Sequence, residues 1–179
     1  MRKVLLLPGW MTSIKLYEKY NDFNICFGEL NEEDFNADYV IGVSLGAMVA
    51  LRDIKKIKGK VILINPPLPK KNFFVWFVHW IKYIKNEGLF LERQKFTTNP
   101  IKYIWELFKC IKLLSIDFCK TLDNVSLDKV TVIRGKSDIF FCDEESVKFL
   151  RSKDIRVVEF EGGHNLSPEM EKTMNSLTL

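Results

Sequence analysis

Gly42-Val43-Ser44-Leu45-Gly46 stands between the apolar run Tyr39-Val40-Ile41 and the helix-compatible stretch Ala47-Met48-Val49-Ala50-Leu51. No other feature of the chain constrains its fold as tightly. A strand that passes through a sharp turn straight into a helix brings two backbones into close approach, and glycines two residues before and two after the turn leave the necessary room. The residue at the tip of such a turn is strained and exposed. Ser44 is therefore a candidate nucleophile.

The rest of the chain repeats the strand-then-helix pattern. Short runs rich in Val, Ile and Leu predict strands near residues 2–7, 24–28, 38–43, 60–65, 129–134 and 155–160, and helices near 12–20, 45–57, 142–152 and 168–175. Apolar strands separated by helices imply a mainly parallel sheet of about six strands covered on both faces, an α/β fold. Ala47, Ala50, Leu51 and Ile54 fall at i, i+3, i+4 and i+7, which turns one helix face onto that sheet. There is no internal repeat. With 179 residues, 47% of them hydrophobic, one compact domain is expected.

A serine hydroxyl needs a histidine base that is itself oriented by a carboxylate. The chain has two histidines. His79 lies in Phe73-Phe74-Val75-Trp76-Phe77-Val78-His79-Trp80-Ile81 and reads as a residue of an amphipathic helix. His164 follows the strand-like Ile155–Phe160 in Glu161-Gly162-Gly163-His164-Asn165, a glycine-rich turn at the carboxyl end of a strand, where open α/β sheets gather reactive groups. His164 is the candidate base. The acid should come from the end of the preceding strand: Lys129–Arg134 runs into Gly135-Lys136-Ser137-Asp138, so Asp138 is the candidate. Asp143 competes, but it stands where an acid caps the helix beginning at Glu144.

The order Ser44, Asp138, His164 resembles that of the α/β-hydrolase triad, and the resemblance extends over nearly the whole chain. Lys3-Val4-Leu5-Leu6-Leu7-Pro8-Gly9-Trp10 is similar to that family's first central strand and oxyanion loop, with Pro8 where a histidine is usual. The resemblance implies an oxyanion hole from the backbone N–H groups of Trp10 and Leu45. It also implies a trimmed sheet, without the two antiparallel strands that usually precede the core, and a cap domain over the nucleophile. The cap would be residues 66–125, and residues 1–65 and 126–179 the hydrolase core.

That inserted segment is distinctive. Phe73, Phe74, Trp76, Phe77, Trp80, Ile81, Tyr83 and Ile84 crowd one predicted helix; Ile101, Ile104, Trp105, Phe108 and Ile111 stripe a second that opens at Asn99-Pro100. Ten basic residues face five acidic ones there, a charge of +5 against +4 for the whole chain. Three readings stay open: a cap core with a solvated lysine face, an apolar acyl tunnel with a rim that attracts an acidic partner, or an interfacial helix on a membrane surface. Under the second, Trp76, Phe77, Trp80, Trp105 and Phe108 bind substrate and Lys82, Lys85, Lys102 and Lys109 bind the partner. Helically spaced aromatics without a recognised binding motif argue against nucleic acid.

Cys26, Cys110, Cys119 and Cys142 have no metal or redox spacing and are expected to be free thiols in a reducing compartment. Only four apolar residues separate Met1-Arg2-Lys3 from Pro8, too few for a secretory signal, and the apolar run 73–81 is about half a bilayer crossing. The expectation is a cytoplasmic serine hydrolase of carboxylic esters or thioesters, with no cofactor and no metal. Leu-Pro-Gly-Trp with Gly-Val-Ser-Leu-Gly is similar to the pimeloyl-acyl-carrier-protein methyl ester esterases of biotin synthesis, which implies an acidic carrier protein as partner. A hydrolase-fold binding protein without catalysis and a membrane-surface lipase or acyltransferase are the alternatives.

Overall fold

The computed structural model describes residues 2–9, 23–26, 29–68, 73–87, 108–165 and 167–178. Among the described residues six strands form one sheet: β1 (Val4–Leu7), β2 (Asn24–Ile25), β3 (Tyr39–Val43), β4 (Lys60–Ile64), β5 (Val130–Gly135) and β6 (Arg156–Phe160). Their spatial order is β2-β1-β3-β4-β5-β6 and every neighbouring pair is parallel. Parallel pairing requires crossovers, so both faces are covered and the interior strands are dominated by buried Val, Ile and Leu.

Side-chain alternation divides the core in two. Leu5, Leu7, Val40, Val61, Leu63, Val130 and Val132 point to one face. There they meet α1 (Leu45–Arg52), α3 (Phe118–Leu122) and α4 (Glu144–Ser152). Val4, Leu6, Ile41, Val43, Ile62, Ile64 and Ile133 point to the other, against Met170 and Met174 of α5 (Pro168–Thr178). Each fully buried Leu or Ile contributes about 1.5–3 kcal/mol, so a one-residue register slip, which would exchange the two sets, is strongly disfavoured. Ala47, Ala50, Leu51 and Ile54 are completely buried, as their spacing predicts.

The differences from the sequence reading are local. The helix expected over 45–57 ends at Arg52. Beyond it, Ile54 N–H donates to Leu51 O and Lys56 N–H to Asp53 O, both i→i−3 bonds that tighten the chain and return Ile54 and Ile57 to the core. The helix expected from 142 starts at Glu144, because Asp143 is its cap: the carboxylate accepts from Ser146 N–H at 2.9 Å. The strand expected over 24–28 is Asn24–Ile25 among the described residues. The helix expected over 12–20 lies outside them. Between β4 and β5, α2 (Phe73–Glu87) fulfils the first aromatic helix, and residues 108–114 are helical.

Candidate active site

The four loops that follow β3, β4, β5 and β6 open at the carboxyl edge of the sheet, and they carry Ser44, Asn65, Asp138 and His164. Ser44 links β3 directly to α1. Its backbone has φ 51° and ψ −115°, a conformation that costs a non-glycine residue about 1–3 kcal/mol and persists only where its surroundings impose it. Here Ser44 N–H donates to Ile64 O at 2.8 Å and Ala47 N–H to Ser44 O at 3.0 Å. The glycines are required on both sides. A Cβ on Gly42 would stand 2.5 Å from Ala47 Cα; one on Gly46 would stand 2.1 Å from the Leu7 carbonyl oxygen.

Asp138 sits at the far side of a turn closed by its own N–H to Gly135 O. Its Oδ1 accepts from the amides of Phe140 and Phe141 at 3.1 Å each, and its Oδ2 accepts from Cys142 N–H at 3.3 Å. The carboxylate is fully buried. Burial pushes its pKa up, but the charge and hydrogen bond of His164, with the Phe141 and Phe140 amides, outweigh burial and hold it below the ordinary value. It is therefore ionised at neutral pH and can only accept.

His164 completes the chain of contacts. Its Nδ1 is 2.7 Å from Asp138 Oδ2 and its Nε2 is 2.9 Å from Ser44 Oγ. Since an ionised carboxylate only accepts, Nδ1 carries the proton and Nε2 is the free base facing the serine hydroxyl. The imidazole is nearly buried, with the Phe141 ring 4.5 Å and the Tyr83 ring 5.3 Å from its centroid. The His164–Asp138 hydrogen bond is buried behind these aromatic walls, where the lower local dielectric strengthens it.

Of the other anticipated residues, Leu45 supplies the first amide of α1, at a helix N-terminus suited to an anion. Trp10, Lys102 and Trp105 lie outside the described residues. Trp76 is buried and stacked on Phe141 at 5.8 Å. Phe77 is half-exposed and packs on Trp80 at 6.3 Å, and Phe108 is exposed. Lys82, Lys85 and Lys109 are exposed. His79 lies on α2 as expected, and its Nδ1 makes a short hydrogen bond to Phe140 O that ties the helix to the acid loop. Cys26 and Cys142 are free thiols. Among the described residues no His, Cys, Asp and Glu cluster could hold a metal ion, and no helix is long and apolar enough to cross a membrane.

Several residues that shape the site were missed from sequence. Asn65 is completely buried at φ 45° and joins three loops: its Nδ2 donates to Gly163 O and His164 O at 3.1 Å each, and its Oδ1 accepts from Gly135 N–H at 2.8 Å. Its signal was an Asn at a strand's carboxyl end before Pro66-Pro67, since Asn tolerates the left-handed region. Arg134 is 1% exposed within β5 and braces the acid loop through Nε to Cys142 O at 2.7 Å and through Nη1 to Glu144 and Glu159. A lone arginine in a buried strand demands such partners. Tyr83, Glu87 and Phe141 left no comparable signal.

The chain has the α/β-hydrolase fold. Solved structures share it along nearly its full length. They include a carboxylesterase of the thaumarchaeon Nitrososphaera gargenis, 13% identical over 99% of this chain and 88% of that one, with a TM-score of 0.59. An α/β-hydrolase enzyme from a Medee basin deep-sea metagenome library is 14% identical over the same shares, TM-score 0.59. A thioesterase domain from the curacin biosynthetic pathway is 15% identical over 98% and 90%, TM-score 0.51. No family model and no curated protein matches the sequence.

Proposed function

We propose that this protein is a serine hydrolase that cleaves a carboxylic ester or thioester through an acyl-enzyme. The observation that carries the reading is the unbroken relay from Ser44 Oγ through His164 to Asp138, with the serine on a strained elbow. Ser44 Oγ attacks the acyl carbon as its proton passes to His164 Nε2. The resulting imidazolium is stabilised by Asp138 and returns the proton to the leaving alcohol or thiol. Water, deprotonated by the same nitrogen, then attacks the acyl-enzyme, releases the acid and restores Ser44. Leu45 and Trp10 N–H groups hold the oxyanion, each such donor being worth about 100- to 1,000-fold in rate.

The finer reading is an ester carried on an acidic acyl carrier protein, supported by exposed Lys82, Lys85 and Lys109 and by the charge of the segment between β4 and β5. In that reading the aromatic residues of the segment receive the acyl chain, and free thiols suit a reducing cytoplasm. A fluorophosphonate should label Ser44, and Ser44→Ala should abolish both labelling and ester turnover; undiminished turnover would remove the assignment. Replacing Lys82, Lys85, Lys102 and Lys109 with Glu should raise KM for carrier-linked esters and flatten its salt dependence while sparing a p-nitrophenyl ester. Unchanged KM for both substrates would withdraw the carrier protein.

A further inference from the structure

His164 stands on a loop after β6 and before α5, where no ladder or helix fixes its backbone. Two side chains from distant elements fix it instead. Asn65 holds the carbonyls of Gly163 and His164 from the sheet side. On the other side, Glu87, the last residue of α2, accepts from His164 N–H at 2.8 Å and from Asn165 N–H at 3.2 Å, both through Oε2. The same helix end is stitched to the loop twice more: Asn165 Nδ2 donates to Glu87 O at 3.3 Å, and Tyr83 OH donates to Asn165 Oδ1. Gly163 makes room for this clamp, since a Cβ there would stand 2.7 Å from the Glu87 carboxyl carbon and both its oxygens.

Asn65 and Glu87 differ in what else depends on them. Asn65 is buried and also bonds Gly135 of β5, so its loss would disturb the sheet. Glu87 is partly exposed, and its carboxylate bonds fall on the two base-loop amides. We propose that Glu87 is a positioning residue for the reaction: from the helix between β4 and β5 it holds the His164 peptide so that the imidazole meets Ser44 and Asp138 together. The proposal rests on the hydrolase reading of the triad. It makes α2 part of the catalytic framework, since the helix that carries the exposed aromatics and lysines also holds the base.

The test compares Glu87→Ala with Glu87→Gln, whose amide oxygen still accepts from both N–H groups. In Glu87→Ala the rate of fluorophosphonate labelling and kcat on a p-nitrophenyl ester should fall about 10- to 100-fold, as expected for a base displaced by up to 1 Å, with KM within about twofold. Glu87→Gln should recover most of that loss. The low-field proton resonance of the imidazole Nδ1–H shared with Asp138 should be present in wild type and Glu87→Gln and lost or broadened in Glu87→Ala. Wild-type rates in Glu87→Ala would overturn the proposal. So would a Glu87→Gln enzyme as slow as Glu87→Ala at equal Tm, or a loss no larger than the unfolded fraction. If wild-type protein neither labels nor turns over, the hydrolase reading fails; the resonance then decides the Glu87 role, its persistence in Glu87→Ala overturning it and its loss supporting it.

Discussion

The elbow at Ser44 and the clamp on His164 serve one site but are built in opposite ways. In the elbow the constraint is backbone against backbone: Gly42 and Gly46 face Ala47, Leu7 and Pro8 at distances no Cβ tolerates, and Ser44 takes a positive φ because strand and helix leave it no other path. In the clamp the constraint is side chain against backbone, through Asn65 and Glu87, from residues 99 and 77 positions away from His164 in the chain. A steric constraint of backbone on backbone is rigid and costly to violate, whether local, as Gly42 on Ala47, or between β1 and α1, as Gly46 on Leu7. The Glu87 half of the clamp, hydrogen-bonded across the fold and partly exposed, is adjustable, and its loss should cost rate before it costs stability.

The acid tests the relay itself. Asp138→Asn preserves shape but reverses the tautomer that His164 must adopt, and kcat should fall by about 10⁴. Asp143→Asn keeps a good N-cap and should cost about 1 kcal/mol or less, read as a small fall in Tm with kcat intact. The reverse pattern would move the acid to Asp143. Asp138 also carries a pH signature. Its folded pKa lies below its ordinary value, so its contribution to stability is complete above that value and is lost as pH falls through the folded pKa. Acid unfolding of Asp138→Asn should therefore be less steep in this range.

Two glycine substitutions then separate elbow from clamp. Gly46→Ala places a methyl 2.1 Å from a carbonyl oxygen in the backbone of β1. Nothing there can swing aside, so overpacking should cost about 3 kcal/mol or more, a fall in Tm of about 6–12 °C by thermal unfolding. In Gly163→Ala the atoms nearest to the new Cβ are the carboxyl carbon and oxygens at the end of the Glu87 side chain. That carboxylate can move, so stability should change little while kcat falls about tenfold through the released base, an effect near 1.4 kcal/mol. Equal Tm losses in the two variants would erase the distinction between a rigid elbow and an adjustable clamp.

Local steric and periodic rules reached most of the framework. The six strands follow from apolar runs that must be buried on both faces, and the strained turn at Ser44 from a pentapeptide whose two glycines permit it. His164 and Asp138 were legible because each follows a strand that ends at the same edge of the sheet, and parallel strands bring their carboxyl ends together. Where a single residue was judged against local alternatives, as Asp143 was, capping chemistry decided correctly.

What surrounds the triad was decided by the tertiary structure alone. Tyr83 and Phe141 look like any other aromatic until α2 is laid across the loops after β5 and β6, and only then do their rings enclose the imidazole. Glu87 is one acid among many on a charged chain, with no local pattern to mark it; its meaning comes from two amides that a loop 77 residues later happens to present. Arg134 reads as an intrusion into an apolar strand, and the Cys142 carbonyl, Glu144 and Glu159 that satisfy it lie on a loop, a helix and a neighbouring strand. The sequence by itself determined the strands, the Gly42-to-Gly46 turn and the order of Ser44, Asp138 and His164, because turn chemistry and burial periods are local. Only the tertiary structure decided what holds the base and what shields it, because hydrogen bonds between distant elements depend on where the whole chain places them.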